Sequence, residues 1–309
     1  MFFCLMDVSV TEDVFFANAV EDVFVDVFSC ELIILLNFCT NQPQLTRYVC
    51  VLVHTAGRVI KTILTSNSVW GVTSVDDKLF GLLDQNYYQV AVYSLSDYRL
   101  LPRIRWPGFK PSHFSDMTSY VRHKCLFASD SDNKCIHRYD LSSHAVSKWS
   151  VTGLPCGLSV TRFSCNLLVA FSERARGEPN KLVELQADSG QLVREITLQS
   201  DIERLHHAVQ LTTGQYLVCH GDADTLNRVC MVDVEGRVTH IYGGQRGSGV
   251  GQLKNPRHLA VDEDSQFIFV ADQYNDRVVL LSPTLEFVRE FSEGMSDPCR
   301  LYFHNTTRL

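Results

Sequence analysis

No two of the eleven cysteines stand in a C-x-x-C, and their number is odd. A zinc knuckle needs paired close spacings and a disulfide framework favours an even count, so neither pattern is present. Most of the thiols, from Cys4 and Cys30 to Cys230 and Cys299, lie in apolar runs. There, reduced cysteine acts as a small hydrophobe, which points to a reducing, cytoplasmic compartment. Long like-charge blocks are also missing. The chain has 28 basic and 35 acidic residues and a formal net charge of −7, which argues against attachment to nucleic acid chiefly through counterion release. Long hydrophobic runs are scarce. Residues 1–6 are apolar, but no basic residue precedes them and Asp7, Glu12 and Asp13 follow, the reverse of the charge order of a secretory signal. Residues 23–38 are interrupted by Asp26 and Glu31 and fall short of a membrane span, so no membrane association is expected. The chain has no G-x-S-x-G elbow and no H-E-x-x-H, and the glycine-rich loop 243–251 lacks the Lys-Ser/Thr of a P-loop. Helical 3.6-residue apolar periodicity of useful length is absent.

Short β-rich runs divided by turn residues are what the sequence does have, starting near Arg47. Hydrophobic residues make up 45% and charged residues 20%, enough for a core and without the composition of disorder. Residues 79–95, 126–141, 216–233 and 267–282 each read as an apolar strand, a polar turn and a second strand, a recurring hairpin signal. A further strand precedes each hairpin. Taking Trp70, His113, Gly157, His207, His258 and Arg300 as equivalent starts gives steps of 43, 44, 50, 51 and 42 residues. A period in the forties with three or four strands per unit is the pattern of propeller blades. The expected fold is therefore all-β, a six-bladed β-propeller over 46–309. Residues 1–45, unlike the rest, are expected to form a helical or poorly ordered extension.

Residues 243–282 resemble an NHL repeat through Gly251, Leu253, Pro256, the strand Leu259-Ala260-Val261-Asp262, then Val270-Ala271-Asp272, Asn275, Arg277 and Val278. The second blade keeps Pro111, Asp130 and Asn133 but has Cys135 where Arg277 stands, and the third keeps Pro155 and Gly157. The likeness extends by pattern over roughly residues 58–309. It implies a six-bladed NHL-type propeller, as in the C-terminal domains of TRIM-NHL proteins. Gly251, Pro256, Asp262, Asp272, Asn275 and Arg277 read as structural members of the repeat. Asp272 and Asn275 suit a capped turn, and Arg277 suits a tie to Asp272 or Asp262. Residues 49–63 resemble the outer strands at 229–242, so they should pair with an inner strand at 300–304. The last blade is then a strand short. An incomplete closing blade is expected, the alternative being that the N-terminal extension fills it.

The inner-strand starts line one mouth of a propeller, which makes Trp70, His113, His207, His258 and Arg300 the candidate binding ring for a small anion or a metal. The competing reading is that such histidines only hydrogen-bond to neighbouring backbone. Propeller lyases that complete peptide amidation share this repeat and hold zinc with a histidine directly after its proline. Here His113 and His258 come one residue later, an offset that turns side chains to the other face of a strand. No metal or cofactor is therefore expected, zinc being the minor alternative. Arg99, Arg103, Arg105 and Lys110, with Trp106 and Phe109 among them, form a candidate surface for nucleic acid or an acidic peptide, or simply a solvated loop. Asn305-Thr306-Thr307 fits a glycosylation acceptor in the wrong compartment. The functional expectation is a non-enzymatic scaffold that binds a protein, or RNA, on one face. It would be TRIM-NHL-like but without the RING and B-box modules that confer ligase activity. The alternative is a metal-dependent propeller enzyme resembling the amidating lyases or gluconolactonases.

Overall fold

In a computed structural model, residues 30–38, 47–54, 59–65, 69–83, 89–112, 115–172 and 179–305 are described. Their strands form six sheets. Each sheet's inner strand packs against the inner strand of the next, from Val69–Val75 through Met117–Tyr120, Pro155–Val160, Leu205–Gln210 and Pro256–Val261 to Pro298–Asn305 and back. This cycle is a closed β-propeller, a fold in which ring closure protects the sheet edges at the axis. No α-helix occurs among the described residues. Val121–His123 and Gln273–Asn275 are single 3-10 turns.

Five sheets are blades folded from one continuous stretch each, at 69–105, 117–150, 155–197, 205–253 and 256–291, and are called blades one to five below. All run as antiparallel meanders, with a short parallel addition at Gln252–Leu253 in blade four. The expected six-bladed propeller with an incomplete last blade is therefore corrected. The structure has five such blades, and a composite sheet from both ends of the chain closes the ring. In it Pro298–Asn305 pairs with Cys30–Phe38, which pairs with Arg47–His54, which pairs with Val59–Thr65. Residues 30–38, expected inside a helical or poorly ordered extension, are a strand with partners on both sides. Residues 1–29 lie outside the described residues.

The core consists of layers between neighbouring sheets, as the two-residue period of strands requires. Leu168, Ala170 and Leu182 of blade three meet Val218, Cys230 and Val232 of blade four. Leu259, Ile268 and Val270 of blade five meet Leu217, Cys219 and Val229 of blade four from the other side. Second strands are thus buried on both faces, as in Leu167–Phe171, while outer strands such as Leu192–Thr197 stay largely exposed. Each fully buried aliphatic side chain contributes about 1.5–3 kcal/mol. At two inner-strand glycines the neighbouring strand comes too close for a side chain. A Cβ on Gly71 would stand 2.6 Å from Met117 Cβ, and one on Gly157 would stand 2.5 Å from the His206 carbonyl oxygen.

Candidate functional site

Every inner strand outside blade two carries an irregularity near its start. The ladder jumps from Val69 to Gly71, Pro155 to Gly157, Leu205 to His207, Pro256 to His258 and Pro298 to Arg300. Trp70, Cys156, His206, Arg257 and Cys299 are left as bulged residues, which a bulge re-aims relative to the ladder. In blade two Met117 pairs with Ala128 as Gly157 does with Ala170, so Asp116 holds the bulge position. This register corrects the expected ring. Gly71, not Trp70, is the paired residue of blade one, and Met117 is that of blade two. His113 lies outside the described residues.

His207, His258 and Arg300 do come together, around Asp116. Arg300 Nε stands 3.2 Å from Asp116 Oδ1, His258 Nε2 3.5 Å and His207 Nε2 3.7 Å from Oδ2. The backbone amides of Met117 and Leu158 donate to the same carboxylate at 2.9 Å each. All four side chains are buried. Burial alone would raise the Asp116 pKa, but the His258 ring and the Arg300 guanidinium outweigh it and hold the carboxyl well below the usual range. Burial moves the histidines the other way. His207 is lowered to about 3, and His258 is also lowered. Their tautomers follow from their partners. His207 Nε2 donates to the Leu158 carbonyl at 3.1 Å, and His258 Nδ1 accepts from the Leu301 amide at 3.4 Å. The rings stack with centroids 3.7 Å apart. Arg300 also donates to the Ser115 and Cys299 carbonyls at 2.8 Å. One buried carboxylate thereby links blades two to five and the closing strand.

Asp116, His207 and His258 could each offer a ligand atom to a cation. Arg300 opposes that use, because its fixed positive charge already compensates the carboxylate. A second grouping, Asp130, Cys135 and His137, lies within blade two. There Asp130 accepts from Asn133 and faces His137 Nε2 at 3.0 Å, and burial pushes the Cys135 thiol up to about 11.

That second grouping is blade two's form of a clasp found in other blades. In blade five Asp272 opposes Arg277, whose Nε donates to it at 2.8 Å, and Asn275 donates to the same carboxylate at 2.7 Å. Arg277 also reaches Gln252 O, and Asp272 accepts from the Lys254 amide. The equivalent pairs are Asp130 with Cys135, His220 with Arg228, and Phe171 with Lys181. Asp262 caps its own turn by accepting from the Asp264 amide at 3.0 Å. Pro256 pairs with Asp272 at the strand start, and Gly251 takes a left-handed φ of 79°.

Above the buried carboxylate, at the end of the ring where the inner strands begin, is a cavity of 360 Å³. Its polar lining includes Arg204, His206, Asp222, Asn255, Arg257 and Arg300, with Cys156 on the wall. Among the described residues, three guanidiniums thus share the cavity with one carboxylate. Arg204 Nε pairs with Asp222 at 3.1 Å. His206 Nε2 donates to Gly221 O and Asn255 Oδ1, at 2.9 and 3.1 Å, so its Nδ1 is the acceptor for Arg257 Nη1 at 3.1 Å. Burial, then the Arg257 charge, lowers the His206 pKa well below its ordinary value. The Arg257 pKa is lowered by burial and by the neighbouring Arg300. Burial pushes the Cys156 thiol up to about 12. Sequence reasoning missed Asp116, His206 and Arg257. For His206 and Arg257 the signal, a residue just before an aligned start, is visible only once the bulges are known.

The candidate surface at 99–110 divides. Arg99, Arg103, Arg105 and Lys110 are exposed, Arg99 beside Asp97 at 3.6 Å and Arg103 donating to Gln89 at 3.1 Å. Trp106 and Phe109 are fully buried in the layer between blades one and two. This corrects Trp106 as a surface residue and removes the aromatics that would stack on bases.

No known family profile matches the chain, and no curated protein sequence matches it. Solved structures do. One from a nidogen/laminin complex aligns with a TM-score of 0.65 at 11% identity, over 89% of this chain and 98% of that one. A Bacteroides caccae protein of unknown function aligns at 0.61 and 11%, over 88% and 97%. The Cps50 (Swd1) β-propeller domain of Myceliophteria thermophila aligns at 0.54 and 12%, over 82% and 83%. At such identities the likeness establishes the β-propeller fold and nothing finer.

Proposed function

We propose that this chain is a binding module without chemistry of its own, an NHL-like propeller that holds a partner protein at the ring end where the inner strands begin. The observation that carries this reading is the arginine-lined cavity at that end, which favours an acidic segment of the partner. The nearest constellation suited to catalysis, Asp116 with His207 and His258, is occupied by Arg300 and by backbone amides, so the reading includes no metal or cofactor. A protein is favoured over RNA because Trp106 and Phe109 are core residues. A reducing, intracellular setting is proposed from the seven unpaired thiols among the described side chains. No helix among the described residues is long and apolar enough to cross a membrane. Panning a random peptide library against the wild type and Arg257→Glu in parallel tests the reading. Enrichment of acidic peptides by the wild type alone is expected. Peptides retained equally by the variant would overturn it.

A further inference from the structure

Building on that reading of the mouth, we infer that its cavity is an oxyanion site in which Arg257, oriented by His206, receives a phosphate monoester group together with Arg300 and Arg204. A volume of 360 Å³ is at the small end of ligand cavities and leaves room for a phosphate and the first atoms that bear it. The three guanidiniums come from separate elements: the turn before blade four's inner strand, blade five's inner strand and the closing strand. Three guanidiniums in one cavity can serve the three terminal oxygens of a tetrahedral phosphate. A planar carboxylate is gripped edge-on by one guanidinium.

Charge points the same way. Among the described residues, Arg204, Arg257 and Arg300 meet Asp222 in the lining and Asp116 beneath it, three positive charges against two negative. A phosphate monoester carries about −1.5 to −2 at neutral pH and offsets the mutual repulsion of Arg257 and Arg300. His206 is the positioning residue. Its Nε2 proton is committed to Gly221 O and Asn255 Oδ1, so its Nδ1 can act only as acceptor, and it fixes Arg257 through Nη1.

Isothermal titration with inorganic phosphate, with a phosphoserine peptide and with the same peptide unphosphorylated tests the site. Wild type and the remote Arg237→Gln should bind phosphate, and Arg257→Gln should bind it roughly ten- to a hundredfold more weakly. Should Arg257→Gln fail to fold, the half-exposed Arg204→Gln carries the test, with a several-fold loss expected. Tighter binding of the phosphopeptide than of phosphate would assign the group to a modified partner. Binding of phosphate but not the phosphopeptide would assign it to a small ester. Binding of neither, or equal binding by the variants, overturns the site. If acidic peptides are still selected in the panning experiment, the binding-module reading stands without it.

Discussion

Replacing Asp116 by asparagine removes one charge from the point where four sheets meet the closing strand. Arg300 would remain 4% exposed, anchored to the Ser115 and Cys299 carbonyls but without its carboxylate. Breaking a buried pair in this way costs about 3–5 kcal/mol, because the surviving charge is uncompensated. The amide keeps one acceptor oxygen. Its NH2 group would face either the Leu158 amide or the Met117 amide and guanidinium, setting donor against donor. A loss of that size approaches the whole stability of many domains and corresponds to a fall in Tm of roughly 5–8 °C for a chain of 309 residues. Urea and thermal unfolding of the variant measure it directly. The double variant Asp116→Asn/Arg300→Met should cost less than the sum of the single changes, since neither charge is then left alone. A single-variant loss under about 1 kcal/mol, the range of an exposed pair, would refute the buried-tie argument.

Acid should unfold the ring through its histidines. His206, His207, His220 and His258 have lowered pKa values in the folded chain, to about 3 for His207 and about 4 for His220. Unfolded histidine takes up its proton below about pH 6.5, so stability falls as pH drops through that value, by roughly 1.4 kcal/mol per pH unit for each histidine. Asp116 adds a further loss below about pH 4. Urea midpoints that stay flat between pH 6.5 and 4.5 would contradict this. Gly157→Ala should destabilise by about 1–3 kcal/mol, because its methyl group meets blade four's backbone. An unchanged denaturation midpoint would count against the close approach at the axis. Ile34→Pro should cost about 3 kcal/mol or more by interrupting the ladder to Val51 and Leu301. Wild-type unfolding would show that residues 30–38 do not close the ring.

Blade structure was legible in the sequence because hairpins are local: an apolar run, an Asn/Asp turn and a second run suffice to place them. His207, His258 and Arg300 were legible for the same reason, each being near the start of a recognisable strand. Asp116 was not. Blade two's inner strand is short, and aligning it on His113 displaced its register by four positions from Met117, the residue before which Asp116 stands. The bulges hid Arg257 and His206, since a bulge re-aims one residue without altering the apolar pattern around it. Residues 30–38 were misread because their partner at 298–305 lies at the other end of the chain, and long-range pairing leaves no trace in local periodicity. The shortage of one strand in the last blade was the available clue. Trp106 and Phe109 look like a surface motif among arginines, yet burying both rings between blades outweighs the polarity of their neighbours.

The most direct test of the account is the affinity of one selected acidic peptide for three proteins: wild type, Arg257→Glu and Arg237→Glu, the last reversing a charge on an exposed outer turn of blade four. The account predicts that Arg257→Glu alone, in its folded state, loses binding, at least tenfold. Equal losses in both variants, or none in either, would contradict the claim that the arginine-lined mouth is the binding end of this propeller.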